Sequence, residues 1–210
     1  MAENTDLWQI ERDLTEQGIG IICGCDEAGA GPLAGPVYAA AVILPPYCQI
    51  EGLNDSKKLT EKKREALYEV ITQKAVCWAV ARMEAAEIDA TDILSARMKA
   101  MQQAMDALTI QPEIALIDGN RDKGRSAAIT TPHKLVVGGD GKSASIAASI
   151  LAKVSRDRFV AGELDERYPQ YQFAKHKGYG TKLHYEMLDK FGPCPEHRRS
   201  FLKKWEEKRI

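Results

Sequence analysis

The stretch Gly24-Cys25-Asp26-Glu27-Ala28-Gly29-Ala30-Gly31-Pro32-Leu33-Ala34-Gly35-Pro36-Val37 constrains this chain more than any other. Upstream of it, Ile19 to Cys25 is rich in isoleucine and reads as a short buried strand that delivers two adjacent acids to its end. Buried carboxylates must be paired, hydrogen-bonded or bound to metal, so Asp26 and Glu27 require a partner. Gly29, Gly31 and Gly35, with Pro32 and Pro36, then make a loop whose backbone lies open to close approach by a ligand. Gly29-x-Gly31-x-x-Ala34 matches part of a dinucleotide fingerprint, but that reading needs a helix opening through the glycines. The prolines oppose one. Val37 to Leu44, a β-branched, aromatic and alanine run, suits instead a second buried strand joined to the first as a hairpin.

With 210 residues and 44% hydrophobic content, the chain suits one domain, or one domain with an appendage, around a real core. The longest apolar run, Val37 to Leu44, is far short of the roughly 20 residues a spanning helix needs, and the N-terminus is acidic rather than signal-like. No membrane role and a cytoplasmic location are therefore expected. The five cysteines are odd in number and lack paired C-x-x-C spacing, which indicates neither a disulfide scaffold nor a zinc site. Net charge is −1, but from Tyr171 onward ten Lys or Arg stand against five Asp or Glu, a local net of +5. A basic tail facing an acidic centre is a polarity that suits nucleic acid.

Taken in order, Glu3 to Gln17 reads as an amphipathic helix with Leu7, Ile10 and Leu14 on one face, closed by Gly18. After the hairpin comes a polar, turn-like stretch from Gly52 to Leu59. Thr60 then caps a helix with Leu67, Val70 and Ile71 in the core. Ala75 to Met83 alternates as a third strand. Glu87 to Leu108 carries Ile88, Ile93, Leu94, Met98, Met101, Met105 and Leu108 at helical spacing, and is read as one helix with a core-facing methionine stripe.

Glu113 to Ile117 has the pattern of a buried parallel strand, and it ends on Asp118. His133 to Val137 is a further apolar stretch, followed by Gly138-Gly139-Asp140. Ligands in open α/β sheets sit beyond the strand carboxyl ends, so several strands terminating in acids converge on one point. Ser143 to Phe159 makes a small-residue helix with Ile146, Ile150, Leu151 and Val154 inward, and Asp157 is read as an ion-pair partner within it. Asp26, Glu27, Asp118 and Asp140 are hard oxygen ligands with no soft partner among them, which suits Mg²⁺ or Mn²⁺ rather than zinc.

The blocks G-C-D-E-A-G-A-G-P-L-A-G-P-V, N-D-S-K-K-L, L-I-D-G-N, G-G-D with S-I-A-A-S-I-L-A-K-V-S-R-D, and H-K-G-Y-G-T with H-R-R-S-F occur in this order. Together they resemble bacterial ribonuclease HII, and the resemblance spans Ile19 to Phe201. It implies an α/β, ribonuclease H-like fold with a mixed central sheet flanked by helices and a C-terminal helical extension. The expected division is an N-terminal helical extension (1–18), a catalytic core (19–168) and a basic substrate-binding region packed on it (169–210). The implied activity is endonucleolytic cleavage of RNA–DNA hybrids and of single ribonucleotides in duplex DNA, leaving a 3′-hydroxyl and a 5′-phosphate. A monomer is expected.

The family's metal-binding acids fall on Asp26, Glu27, Asp118 and Asp140, holding two Mg²⁺ or Mn²⁺ ions with Asp26 as the bridge. Adjacent strand residues face opposite ways, so Asp26 and Glu27 share a site only if the backbone turns at Ala28-Gly29. The 2′-hydroxyl distinguishes RNA from DNA and is best read by backbone groups, here those of Gly29, Ala30 and Gly31. The family usually has Gly-Arg-Gly, and Ala30 replaces the arginine. Either another cation compensates, or the chain is a weakened variant. The resemblance assigns Tyr179 to stacking on a sugar, and Asn54, Ser56, Lys57, Lys177 and Thr181 are candidate phosphate contacts. His176, His184 and His197 are read as structural. The alternatives are a nuclease of the same fold acting on DNA and a hybrid-binding module whose catalysis has lapsed.

Overall fold

The computed structural model describes residues 8–54, 56–118, 124–136, 143 and 146–207. A short helix α1 (Gln9–Glu16) leads into β1 (Ile22–Ala28), β2 (Val37–Ile43), α2 (Glu61–Lys74), β3 (Cys77–Met83), α3 (Ala85–Ala90) and α4 (Ile93–Asp106). Strands β4 (Ile114–Asp118) and β5 (His133–Val136) precede the long helix α5 (Ile146–Phe159). The chain continues through a π-helical turn, Val160–Leu164, into α6 (Asp165–Arg167), α7 (Phe173–His176), α8 (Lys182–Phe191) and α9 (Arg199–Glu207).

The five strands form one mixed sheet in the order β3-β2-β1-β4-β5. β1, β2 and β3 make an antiparallel meander, while β4 and β5 run parallel to β1. Every residue of β2 is buried, and its Ala39-Ala40-Ala41 run leaves room for a helix on each face. On one face Cys23, Cys25, Ala39 and Ala41 pack against the Met98, Met101 and Met105 stripe of α4. On the other, Ala40 and Val42 meet Ala147, Ile150 and Leu151 of α5 and Leu67 and Ile71 of α2. Leu14 of α1 covers Leu116 and Val136 at the β4–β5 side.

Two expectations change. Asp26 and Glu27 lie inside β1 rather than beyond it, because the hairpin ladder with β2 continues to Ala28 opposite Tyr38. The 87–108 helix is two helices. Asp92 turns its carboxylate onto the N–H groups of Leu94 and Ser95 at 2.9 and 3.0 Å, ending one helix and capping the next. Elsewhere the cap at Thr60 is as expected, its hydroxyl accepting from the Lys63 N–H. Asp140 and the residues around it lie outside the described residues.

Candidate active site

The strand register builds the site. Cys25 is level with Ile117 across the parallel β1–β4 pair, so Asp26 and Asp118 follow side by side. They share the face that carries Leu116 and Val136, on neighbouring strands about 4.8 Å apart. Glu27 points to the opposite face, where Arg97 of α4 meets it, Nη2 to Oε1 at 2.8 Å. The three acids still open on one cavity, because β4 ends at Asp118 and Gly29 turns the backbone at φ 92° just after β1. That cavity has a volume of about 540 Å³. Lys57, Arg64, Arg97 and Lys153 supply its cations, and Ala28-Gly29-Ala30, Ser149 and Tyr179 complete the wall.

Asp26 is buried, with Oδ1 accepting the Glu27 N–H at 2.7 Å. Burial pushes the Glu27 carboxyl above its usual range; the Arg97 guanidinium pulls it back down, and Asp118 adds to the rise. The Arg97 contact is single, so Glu27 Oε2 remains buried without a hydrogen-bond partner among the described residues. Among the described residues no three His, Cys, Asp or Glu side chains already stand in a metal-ligating cluster. The donor set nevertheless fits a hard divalent cation. Two adjacent carboxylates and an orphan carboxylate oxygen share a cavity, and such an oxygen is costly unless a cation takes it.

The glycine loop is held from behind by two fully buried arginines. Arg198 donates from Nη2 to Gly29 O (2.7 Å), from Nη1 to Ala30 O (3.1 Å) and from Nε to Gly35 O (3.0 Å). Arg156 donates to the carbonyls of Pro36, Ala34 and Lys177 at 3.1 to 3.2 Å. Burial pushes the Arg198 guanidinium down to about 9. A Cβ at Gly29 would overlap the Arg156 side chain, so this position needs glycine for space as well as for its positive φ.

Tyr179 is 41% exposed, with Lys153 Nζ 5.7 Å from its ring centroid. Its backbone is tied down: the carbonyl accepts from Thr181 N–H and His184 Nδ1. That carbonyl fixes the proton on His184 Nδ1, so Nε2 accepts from His197 Nε2 at 3.0 Å, and His197 Nδ1 accepts from the Cys194 N–H at 3.0 Å. The relay is complete only with neutral rings. Burial holds His184 and His197 down, to about 4 and about 3.

Of the residues singled out from sequence, Asp26, Glu27, Asp118, Gly29, Ala30, Ser56, Lys57 and Tyr179 line the cavity. Gly31 and Asn54 are exposed outside its lining. Lys177 Nζ turns back to Ala174 O, and the Thr181 hydroxyl caps α8 by accepting from His184 N–H. Asp157 pairs with Lys153 at 2.8 Å, as read. Sequence reasoning missed Arg97, Arg64, Ser149 and Lys153. Arg97 had a signal, since Ile93, Arg97 and Met101 stand four apart and place one cation in the buried stripe of α4.

The family model for ribonuclease HII matches residues 23–206. The chain belongs to the ribonuclease HII family. This makes it a metal-dependent endoribonuclease acting on RNA–DNA hybrids. It is 57% identical to the ribonuclease HII of Idiomarina loihiensis over 182 residues, 86% of this chain and 95% of that one. The ribonuclease HII of Caldicellulosiruptor bescii is 48% identical over 204 residues, covering 97% of each. Among solved structures, ribonuclease HII of Archaeoglobus fulgidus, determined in complex with PCNA, superposes with a TM-score of 0.69 at 26% identity, over 85% of this chain and 94% of that one. Bst-RNase HIII in complex with Mn²⁺ shares the fold, with a TM-score of 0.58 at 19% identity over 85% of this chain and 66% of that one. No helix among the described residues is long and apolar enough to cross a membrane.

Proposed function

We propose that this ribonuclease HII hydrolyses the phosphodiester on the 5′ side of a ribonucleotide, in RNA–DNA hybrids and at single ribonucleotides embedded in duplex DNA. The side-by-side placement of Asp26 and Asp118, on the same cavity as Glu27 and the Gly29-Ala30-Gly31 backbone, is the observation that carries this reading. Asp26, Glu27, Asp118 and Asp140 would hold two Mg²⁺ or Mn²⁺ ions, which when bound supply the charge needed at the attacking and leaving oxygens of in-line hydrolysis. The Mn²⁺ complex of the related ribonuclease HIII supports that choice of ion.

The remaining parts position the duplex. Arg198 holds the carbonyls of Gly29 and Ala30 from the buried side, which fixes the loop backbone that reads the 2′-hydroxyl. Tyr179, exposed on the cavity and anchored through its carbonyl, stacks on the sugar beyond the junction. Ser56 and Lys57 contact phosphate at the cavity wall, while Asn54, Lys177 and Thr181 lie outside the lining and serve phosphates further along the duplex. All five cysteines are free thiols, which suits a cytoplasmic enzyme. The test is cleavage of a duplex bearing one ribonucleotide, with Mg²⁺ or Mn²⁺ and with product ends mapped. A 5′-phosphate on the ribonucleotide is expected; equal cutting of all-DNA duplex, or no cutting with either ion, refutes the reading.

A further inference from the structure

Arg97 and Glu27 form a partly buried pair that is only half satisfied. Their side chains are 17% and 13% exposed, and one contact joins them, from Nη2 to Oε1 at 2.8 Å. Glu27 Oε2 and Arg97 Nε are both buried with no hydrogen-bond partner among the described residues. A guanidinium and a carboxylate are able to pair through two parallel bonds, so the single contact leaves an acceptor and a donor each wanting a partner. The acceptor calls for a cation and the donor for an anion. A divalent ion and a phosphodiester supply both at once.

Of the other cations of the cavity, Lys57 is already assigned to phosphate at the wall, and two are engaged within the fold. Lys153 is bound to Asp157 at 2.8 Å, and Arg64 donates to the carbonyls of Ser56 and Leu59. The loop at Gly29-Ala30-Gly31 carries no charged side chain. We propose that Arg97 is a second phosphate-binding cation of this site, held on Glu27 until a divalent ion takes that carboxylate and frees the guanidinium for a substrate phosphate. The proposal rests on the metal reading above and gives Glu27 two successive partners. Arg97 is therefore a competitor of the metal in the free enzyme and a contact of the substrate in the complex.

Two binding measurements without turnover test this on the full chain with Arg97→Gln and Arg97→Lys. Calorimetric Mn²⁺ titration of the protein alone should show about five- to tenfold tighter binding in Arg97→Gln, because an internal cation no longer opposes the ion. Binding to a duplex bearing one ribonucleotide, with Ca²⁺ replacing the catalytic ion, should be about tenfold weaker, and the salt slope should fall by about one. Arg97→Lys should keep the wild-type salt slope, since it retains the charge. Unchanged or weaker Mn²⁺ binding in Arg97→Gln, or an unchanged salt slope, overturns the proposal. Asp26→Asn separates the two readings. Wild-type Mn²⁺ binding that survives Asp26→Asn sinks the metal reading, whereas binding lost there but unaltered in Arg97→Gln sinks only the role of Arg97.

Discussion

Acid should unfold this protein through His184 and His197 before it titrates most of its carboxylates. Both rings are buried and satisfied only when neutral: His184 donates to Tyr179 O and accepts from His197, which accepts in turn from the Cys194 N–H. Burial sets their folded values near 4 and 3, against a reference of 6.5. The folded value lies below the unfolded one, so the unfolded chain takes up protons first. Stability is fully present above pH 6.5 and is lost as pH falls toward 4. A pH of 5 is about 1.5 units below the unfolded value of each ring and above both folded values, a loss of about 2 kcal/mol each and about 4 kcal/mol together. His176, also lowered by burial, adds in the same direction.

Urea unfolding at pH 7.5, 6.0, 5.5 and 5.0 measures that slope, and His184→Asn identifies its source. Removing one of the two groups should flatten the slope between pH 6.0 and 5.0 by about 1.2 kcal/mol per pH unit, even though the variant starts less stable. An equal slope in wild type and variant would refute the neutral relay. The proposed link to function is Tyr179, whose carbonyl is the end of the relay. Weakened duplex binding should accompany the loss of stability below pH 6.

Asp26→Asn should lower kcat by at least about 1000-fold with the fold intact, because the amide oxygen still accepts the Glu27 N–H while the charge is gone; circular dichroism and a cleavage assay check both halves. Relief of repulsion beside Glu27 and Asp118 should also raise the metal-free Tm slightly. Gly29→Ala should cost about 2–3 kcal/mol, a Tm drop of about 5–10 °C by scanning calorimetry, since its φ of 92° is unfavourable and the methyl displaces Arg156; an unchanged Tm would mean the loop relaxes freely. Ala30→Arg should raise kcat/KM on a single-ribonucleotide duplex by about tenfold, less at high salt, and by more in an Arg97→Gln background, because the two guanidiniums serve the same phosphate. Equal gains in both backgrounds would show that they act at separate places.

The sheet was legible because its signals are local. β2 is a run of seven apolar residues, β4 is a five-residue run closed by an acid, and the hairpin follows from prolines that exclude a helix. The exact end of β1 was not legible, since only pairing with β2 carries the strand through two acids to Ala28. Thr91-Asp92 was overlooked inside a strong apolar period, although Asp at a helix start is a known cap. At the site, the acids, the glycine loop and Tyr179 stood out because their residue types are costly or unusual where they occur. Arg97, Ser149 and Lys153 did not, because what places them at the cavity is the packing of α4 and α5 on opposite faces of the sheet.

The C-terminal region shows how far a charge count differs from a structural role. Its net of +5 invites a purely electrostatic account, yet several of those charges are committed within the fold. Arg198 is fully buried on loop carbonyls, Lys177 binds Ala174 O, and Arg199 and Lys182 lie 3.4 and 3.9 Å from Glu206 and Glu186. Exposed pairs of the latter kind leave some long-range potential and little fixed geometry. Arg198 does the opposite: fully buried, it is out of reach of a phosphate at the surface, but its three bonds fix the backbone at Gly29, Ala30 and Gly35. Leu188 and Leu202 pack on Leu33 of the same loop, so α8 and α9 brace it with apolar contact as well. On the proposed reading, the region's main contribution to selectivity is therefore geometric. A loop proposed to discriminate a single hydroxyl has to be rigid to within a hydrogen bond's tolerance, and here that rigidity comes from Arg156 and from residues more than 150 positions downstream of the loop.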